Sequence, residues 1–183
     1  SLSLSNGTSD YIFEAYDFEG DLIDTATIQI TTTGGDTVVE SLRVTEINYN
    51  PSDPTLSELA NQPSLNSNDF EFIEVQNTGT QTINLQNVHF TNGVEFAFPA
   101  VNLAAGQHAV IVKDQAAFEL RYGTGVNVLG NFTSGGLNNN GENLRLVINS
   151  EEILDFSYGD SDPWPERTDG KGATLELIDP VTT

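Results

Sequence analysis

Apolar and polar residues alternate along most of this chain in short stretches, and a helical period is almost absent. The pattern therefore predicts short β-strands punctuated by Gly, Asn, Asp and Thr. Tyr11, Phe13 and Ala15 alternate with Ile12, Glu14 and Tyr16. After a polar turn from Asp17 to Asp21, Ala26, Ile28 and Ile30 alternate with Thr27, Gln29 and Thr31. This reads as a β hairpin, which is marginal on its own in water. Thr32-Thr33-Gly34-Gly35-Asp36 reads as a linker.

From about Val38 onward the spacing predicts strands over Leu42–Tyr49, Phe70–Asn77, Ile83–Leu85, Val88–Thr91, Val94–Phe98, His108–Lys113, Asn143–Ile148, Ile153–Tyr158 and Thr174–Ile178. A polar loop from Pro51 to Asn68 separates the first two. Asn6-Gly7, Asn92-Gly93 and Asn140-Gly141 suit tight turns. Only Gln115–Tyr122 reads as helix, capped by Asp114 and ended by Gly123. Many short strands with such turns predict a β sandwich. The apolar phase of those strands assigns Val44, Ile73, Val75, Leu85, Val110, Val112, Leu144, Leu146, Phe156 and Leu175 to the core.

The 183 residues suffice for one large β domain, and 37% hydrophobic content supports a core rather than disorder. Charge narrows the function. There are 27 acidic residues against 6 basic ones, for a net −21. Eight acidic and no basic residues lie between Ser1 and Glu40, which leaves 19 acidic against 6 basic for the remainder. Nucleic-acid binding needs clustered cations facing phosphates, so it is excluded, and an anionic membrane surface is disfavoured on the same ground. No apolar run approaches a membrane span, so no membrane insertion is expected. Cysteine is absent, which removes disulfides, thiolate metal sites and cysteine nucleophiles. Methionine is absent too, and the chain is read as a piece of a larger protein.

An ordered series of stretches resembles the lamin tail domain, an immunoglobulin-like β sandwich found in nuclear lamins and in many bacterial secreted proteins. The series opens with Arg43-Val44-Thr45-Glu46-Ile47-Asn48-Tyr49-Asn50-Pro51 and continues with Glu71-Phe72-Ile73-Glu74-Val75-Gln76-Asn77 and Thr82-Ile83-Asn84-Leu85. It runs on through Phe98-Pro99, Leu103-Ala104-Ala105-Gly106-Gln107 and Val110-Ile111-Val112. It closes with Leu144-Arg145-Leu146, Asp155-Phe156-Ser157-Tyr158-Gly159-Asp160, Pro163-Trp164-Pro165 and Leu175-Glu176-Leu177. The Tyr-Gly-Asp and Pro-Trp-Pro elements resemble the bacterial branch, and no heptads of a lamin rod are present. Ala15-Tyr16-Asp17 with Ala26-Thr27-Ile28-Gln29-Ile30 resembles the last two strands of an upstream immunoglobulin-like repeat.

The resemblance implies an all-β fold: an immunoglobulin-like sandwich of the lamin-tail type over residues 37–183. Residues 1–36 would be an N-terminal β hairpin, the remnant of an upstream domain, plus a linker. It also implies a non-catalytic structural or interaction module, for adhesion or spacing, in a multi-domain bacterial secreted or cell-surface protein. A protein or cell-surface partner is expected, with self-association through the hairpin. The alternative is an accessory substrate- or carbohydrate-binding domain beside a secreted hydrolase or nuclease.

Candidate chemistry is sparse. His89 and His108 are the only histidines, no Gly-x-Ser-x-Gly elbow exists, and Gly170-Lys171 lacks the rest of a phosphate loop. A sugar platform needs several exposed aromatics, and tryptophan occurs once. Calcium is the better use of the carboxylates, because it takes six to eight oxygens. If the first two sandwich strands pair as the resemblance implies, Asn50 and Asp53 leave at the end where Asp69 and Glu71 enter, forming one candidate weak site. Asp160 and Asp162, with Asp155 and Asp169 near in sequence, form the other. Glu46 and Glu74, inside strands, read as structural carboxylates with Arg145 as a candidate partner. Trp164 reads as a plug for one end of the sandwich. Asn6-Gly7-Thr8 and Asn131-Phe132-Thr133 match the glycosylation pattern, as accidental matches in a bacterial protein.

Overall fold

In the computed structural model, which describes residues 7–16, 22–32 and 37–177, the alternation resolves into two five-stranded sheets around a shared core. The first sheet has the order β10(Val128–Asn131)–β9(His108–Val112)–β4(Phe72–Asn77)–β3(Leu42–Asn48)–β14(Leu175–Glu176). The second has the order β11(Ser134–Gly135)–β7(Val94–Ala97)–β6(Val88–Asn92)–β12(Gly141–Ile148)–β13(Glu151–Gly159). All pairings are antiparallel except β9 with β10. A short ribbon joins β5(Ile83–Asn84) to β8(Asn102–Leu103). The fold is the all-β sandwich expected from the sequence.

The inward faces follow the period of two. Ile73, Val75, Ile111, Leu144, Leu146 and Phe90 interlock in one cluster, and all ten predicted core residues are buried. Burying a residue such as Ile73 contributes roughly 1.5–3 kcal/mol. Strand β9 behaves differently because its sequence is a continuous apolar run. Ala109 and Ile111 point into the sandwich, whereas Val110 and Val112 join Phe72 and Phe118 in a second cluster outside it. Helix α3(Gln115–Tyr122) supplies Phe118 and covers that half of the sheet. Its ends match the sequence: Asp114 accepts from the Ala117 amide, and Gly123 has φ 84°.

Residues 7–16 and 22–32 form an antiparallel hairpin, β1 and β2, with Tyr11 opposite Ile28 and Phe13 opposite Ala26. Strand β2 runs near β13, and β1 near β14. The turn at 17–21 and the linker at 33–36 lie outside the described residues, as do Asn6 and Ile178.

Two expectations are corrected. First, α3 is not the only helix. α1(Thr37–Ser41) buries Val38 and Val39 in the main core, and α2(Leu56–Asn61) sits inside the predicted loop. Both are too short to show a helical period, although Thr55 and Glu58 close a reciprocal capping box at the start of α2. Second, β4 starts at Phe72 because Ser67–Phe70 is a 3-10 turn, capped by Asn66 and Asp69. Asn140-Gly141 closes a tight turn, as expected: the Gly141 amide donates to Asn138 O at 3.0 Å, and Gly141 has φ 92°. A two-residue hairpin lies at Asn149-Ser150, where φ is 47° and 80° and Ile148 pairs with Glu151. Positive φ at both central residues is the type I′ pattern.

Candidate functional site

The outer face of the first sheet divides into an apolar half under α3 and a carboxylate half. In the latter, Glu46 on β3 stands directly opposite Glu176 on β14 and Glu74 on β4. Three carboxylates thus form a row across three adjacent strands, an arrangement that costs free energy because like charges face each other. Glu74 Oε1 accepts from Thr45 Oγ1 at 2.7 Å and from His108 Nδ1 at 2.8 Å. Burial raises the pKa of Glu46, the Thr174 hydrogen bond opposes that, and Glu176 and Glu74 reinforce it. Tyr122 lies on the flank, where its hydroxyl accepts from Asn48 Nδ2 at 3.1 Å. Burial raises its pKa as well.

Arg145 takes no part in this row, which corrects the expected pairing. It projects from β12 in the other sheet and pairs with Glu152 at 3.4 Å and Asp155 at 3.7 Å. Sequence alternation shows that a strand has two faces, but not which sheet it joins.

The arrangement around His108 does not build a catalytic triad. A triad runs from hydroxyl to imidazole to carboxylate, so that the imidazole takes the hydroxyl proton. Here Thr45 and His108 both end on the same oxygen of Glu74. His89, the other histidine, is half-buried on β6 between Ala97 and Val147.

The expected calcium ligands are held by separate partners. Asn50 Nδ2 donates to Asp169 Oδ1 at 2.5 Å, which ties the two candidate loops together. Asp53 is exposed, and its carbonyl accepts from Arg121 Nη2. Asp69 caps its own 3-10 turn by accepting from Asn66 N and Nδ2. Glu71 is only 2% exposed and accepts from the Leu137 amide at 2.8 Å. Asp160 is half-buried, Asp162 is exposed, and Asp155 is engaged by Asn143 and Arg145. Among the described residues, no group of three or more His, Asp or Glu side chains converges to hold a metal ion.

Sequence reasoning missed what surrounds Glu71. Leu137 and Asn138 are consecutive, and their amides go to two different carboxylates, Glu71 and Glu142. Tyr158 hydroxyl donates to Asn138 O and Glu142 Oε1, both at 3.0 Å, and Lys113 Nζ donates to Gly135 O. Burial drives the Glu71 pKa up to about 7, against the Leu137 hydrogen bond and Lys113, while Glu142 and Asp69 add to the rise. Burial likewise raises the Tyr158 pKa.

A second cluster pins the 51–70 segment to α3. Arg121 Nε and Nη2 donate to the two Glu58 oxygens at 2.8 and 3.1 Å, Nη1 donates to Ser52 O, and the guanidinium lies 3.3 Å from the centre of the Phe70 ring. Arg121 holds Glu58 down at about pKa 2. Trp164 packs against the main core, as a plug would. Asn131 is exposed, and its Oδ1 accepts from the Gln115 amide at the start of α3.

No helix among the described residues is long and apolar enough to cross a membrane. Comparison with curated proteins and with solved structures gives no match. The family model of the lamin tail domain matches residues 36–160, more than half of the chain, and spans the sandwich from α1 through β13. This chain belongs to the lamin tail domain family, a non-catalytic family of immunoglobulin-like fold.

Proposed function

We propose that this domain is a non-catalytic interaction module whose contact face is the carboxylate half of the first sheet, and that its partner is a cationic protein segment. The observation that carries this reading is the cross-strand row Glu176–Glu46–Glu74. Cationic side chains laid along the row would relieve repulsion that the free domain bears, and the net charge of −21 would steer them in. The domain would serve adhesion or spacing in a multi-domain, secreted or cell-surface protein of bacterial type. The absence of cysteine and the acidic composition support that location, and detection of the parent protein outside the cell would test it. For the accessory carbohydrate-binding reading the surface offers little: Tyr122 is the one large exposed aromatic among the described side chains.

The test is titration with a Lys- and Arg-rich peptide at low and moderate ionic strength. Two charge-matched triple variants are compared: Glu46→Gln, Glu74→Gln, Glu176→Gln against the exposed set Glu95→Gln, Glu151→Gln, Glu166→Gln. The first is expected to lose binding and the second to keep it. Equal weakening in both would leave only a diffuse attraction of an acidic protein for cations and overturn the assignment of the face.

A further inference from the structure

Two Asn-Gly pairs lie among the described residues, Asn92-Gly93 and Asn140-Gly141, and the fold requires the glycine in both. Gly93 has φ 80° and Gly141 φ 92°. A Cβ would collide with the Leu144 side chain at the first and with the Tyr158 carbonyl at the second. Each asparagine is therefore followed by a backbone nitrogen that no side chain of its own residue shields.

Both asparagines are exposed, but their side chains are held differently. Asn92 Nδ2 donates to Asn143 O at 3.1 Å and to Asn143 Oδ1 at 2.7 Å. Asn143 is fixed in turn, because its Nδ2 donates to Asp155 Oδ1 at 2.6 Å and to Phe156 O at 3.1 Å. These bonds cross β6, β12 and β13, and the Asn92 carboxamide turns toward its own following amide only by breaking them. The Asn140 side chain makes no hydrogen bond among the described residues. Its backbone lies in the turn before β12, where Asn140 N–H donates to Asn138 Oδ1 at 2.9 Å and Gly141 N–H to Asn138 O at 3.0 Å.

We propose that Asn140 is a self-modification site, converted to aspartate and isoaspartate in the folded domain, and that the bonds to Asn143 spare Asn92. Gly141 first releases its single turn bond at the surface. In mildly alkaline water its nitrogen gives up its proton and attacks Asn140 Cγ. The N–Cγ bond forms, the Cγ–Nδ2 bond breaks, and Nδ2 leaves as ammonia with that proton. Water then opens the cyclic imide at either carbonyl. The product carries a new carboxylate two positions from Glu142. The isoaspartyl form also adds one methylene to the backbone directly before Gly141, the residue that pairs with Gly159 at the end of the sheet.

The test is peptide mapping by mass spectrometry of the full chain held at mildly alkaline pH, native and in urea. In urea the two pairs are expected to convert at similar rates, since only local sequence remains. In the native chain Asn140 is expected to convert at least roughly fivefold faster than Asn92, because Asn92 must break two side-chain bonds and Asn140 none. Asn143→Ala is expected to raise the Asn92 rate and to leave Asn140 unchanged. Native Asn92 converting as fast as Asn140, or no conversion at Asn140, would overturn the proposal. Should Asn143→Ala fail to fold, the ratio of native to urea rates at each asparagine decides. A large fall at Asn92 with a much smaller one at Asn140 supports the site, and equal falls at both sink it.

Discussion

A Cβ on Gly159 would come within 2.8 Å of Trp164 Cδ1 and 2.9 Å of Nε1, so the indole occupies the space that a side chain at position 159 would need. The last residue of β13 is thereby matched to the plug that follows it. Gly159→Ala is expected to push the ring outward. Because Trp164 is the only tryptophan, its fluorescence reports the change directly. A red shift with retained β-sheet circular dichroism is the expected result, and an unchanged emission maximum would mean that the ring is placed by other contacts.

Ser150 has φ 80° in the two-residue turn between β12 and β13. A non-glycine residue pays a steric cost in this region, and the neighbouring Asn149 is better suited to it. Ser150→Gly is therefore expected to stabilise the domain by about 0.5–1 kcal/mol, measured by urea unfolding. A loss of stability would mean that the entropy gained by the unfolded chain exceeds the strain relieved.

Two carboxyls should move stability in opposite directions with pH. Glu58 is held at about pKa 2 by Arg121, below its unfolded value of 4.5. Its contribution is present above pH 4.5 and is lost as pH falls through about 2. Glu71 is raised from 4.5 to about 7. Its contribution is fully present below pH 4.5 and is lost as pH rises through about 7, a change of roughly 3 kcal/mol from linkage. Melting of the wild type between pH 4.5 and 8 should show the decline, and Glu71→Gln should remove most of it.

Glu58→Ala removes both the capping box of α2 and the partner of a largely buried guanidinium. The expected cost is about 2–4 kcal/mol, read from denaturant midpoints. Phe70→Leu would then separate the ring contact from the ion pair, and we expect it to cost less than the loss of Glu58.

Val38 and Val39 belong to the main core, whereas β1 and β2 pair only with each other. Removing residues 1–36 is expected to leave a folded sandwich with a cooperative melt close to that of the full chain. Dissociation of any dimer on the same truncation, followed by sedimentation, would place self-association in the hairpin. A truncated chain that fails to melt cooperatively would show that the hairpin is integral to the sandwich.

The sequence by itself determined most of what is local. Period-two alternation placed the inward residues of each strand, so Val44, Leu146 and Leu175 were assigned correctly. Asp114 and Gly123 marked both ends of α3. These features are legible because the chemistry of a strand face or a helix cap is carried within a few adjacent residues. Tertiary structure decided the rest. Val110 and Val112 lie outside the sandwich because α3 returns over β9 to set β10 parallel beside it, and the short Val128–Asn131 stretch has no alternation to announce that. Arg145 faces Glu152 and Asp155 rather than Glu46 because β12 belongs to the other sheet. Glu71 reads like any acidic loop residue, yet it is buried against Gly136 and accepts from the Leu137 amide, both more than sixty positions along the chain. Alternation gives each strand two faces, but the energy of a buried charge depends on what the rest of the chain lays over it. That is settled only when distant segments pack.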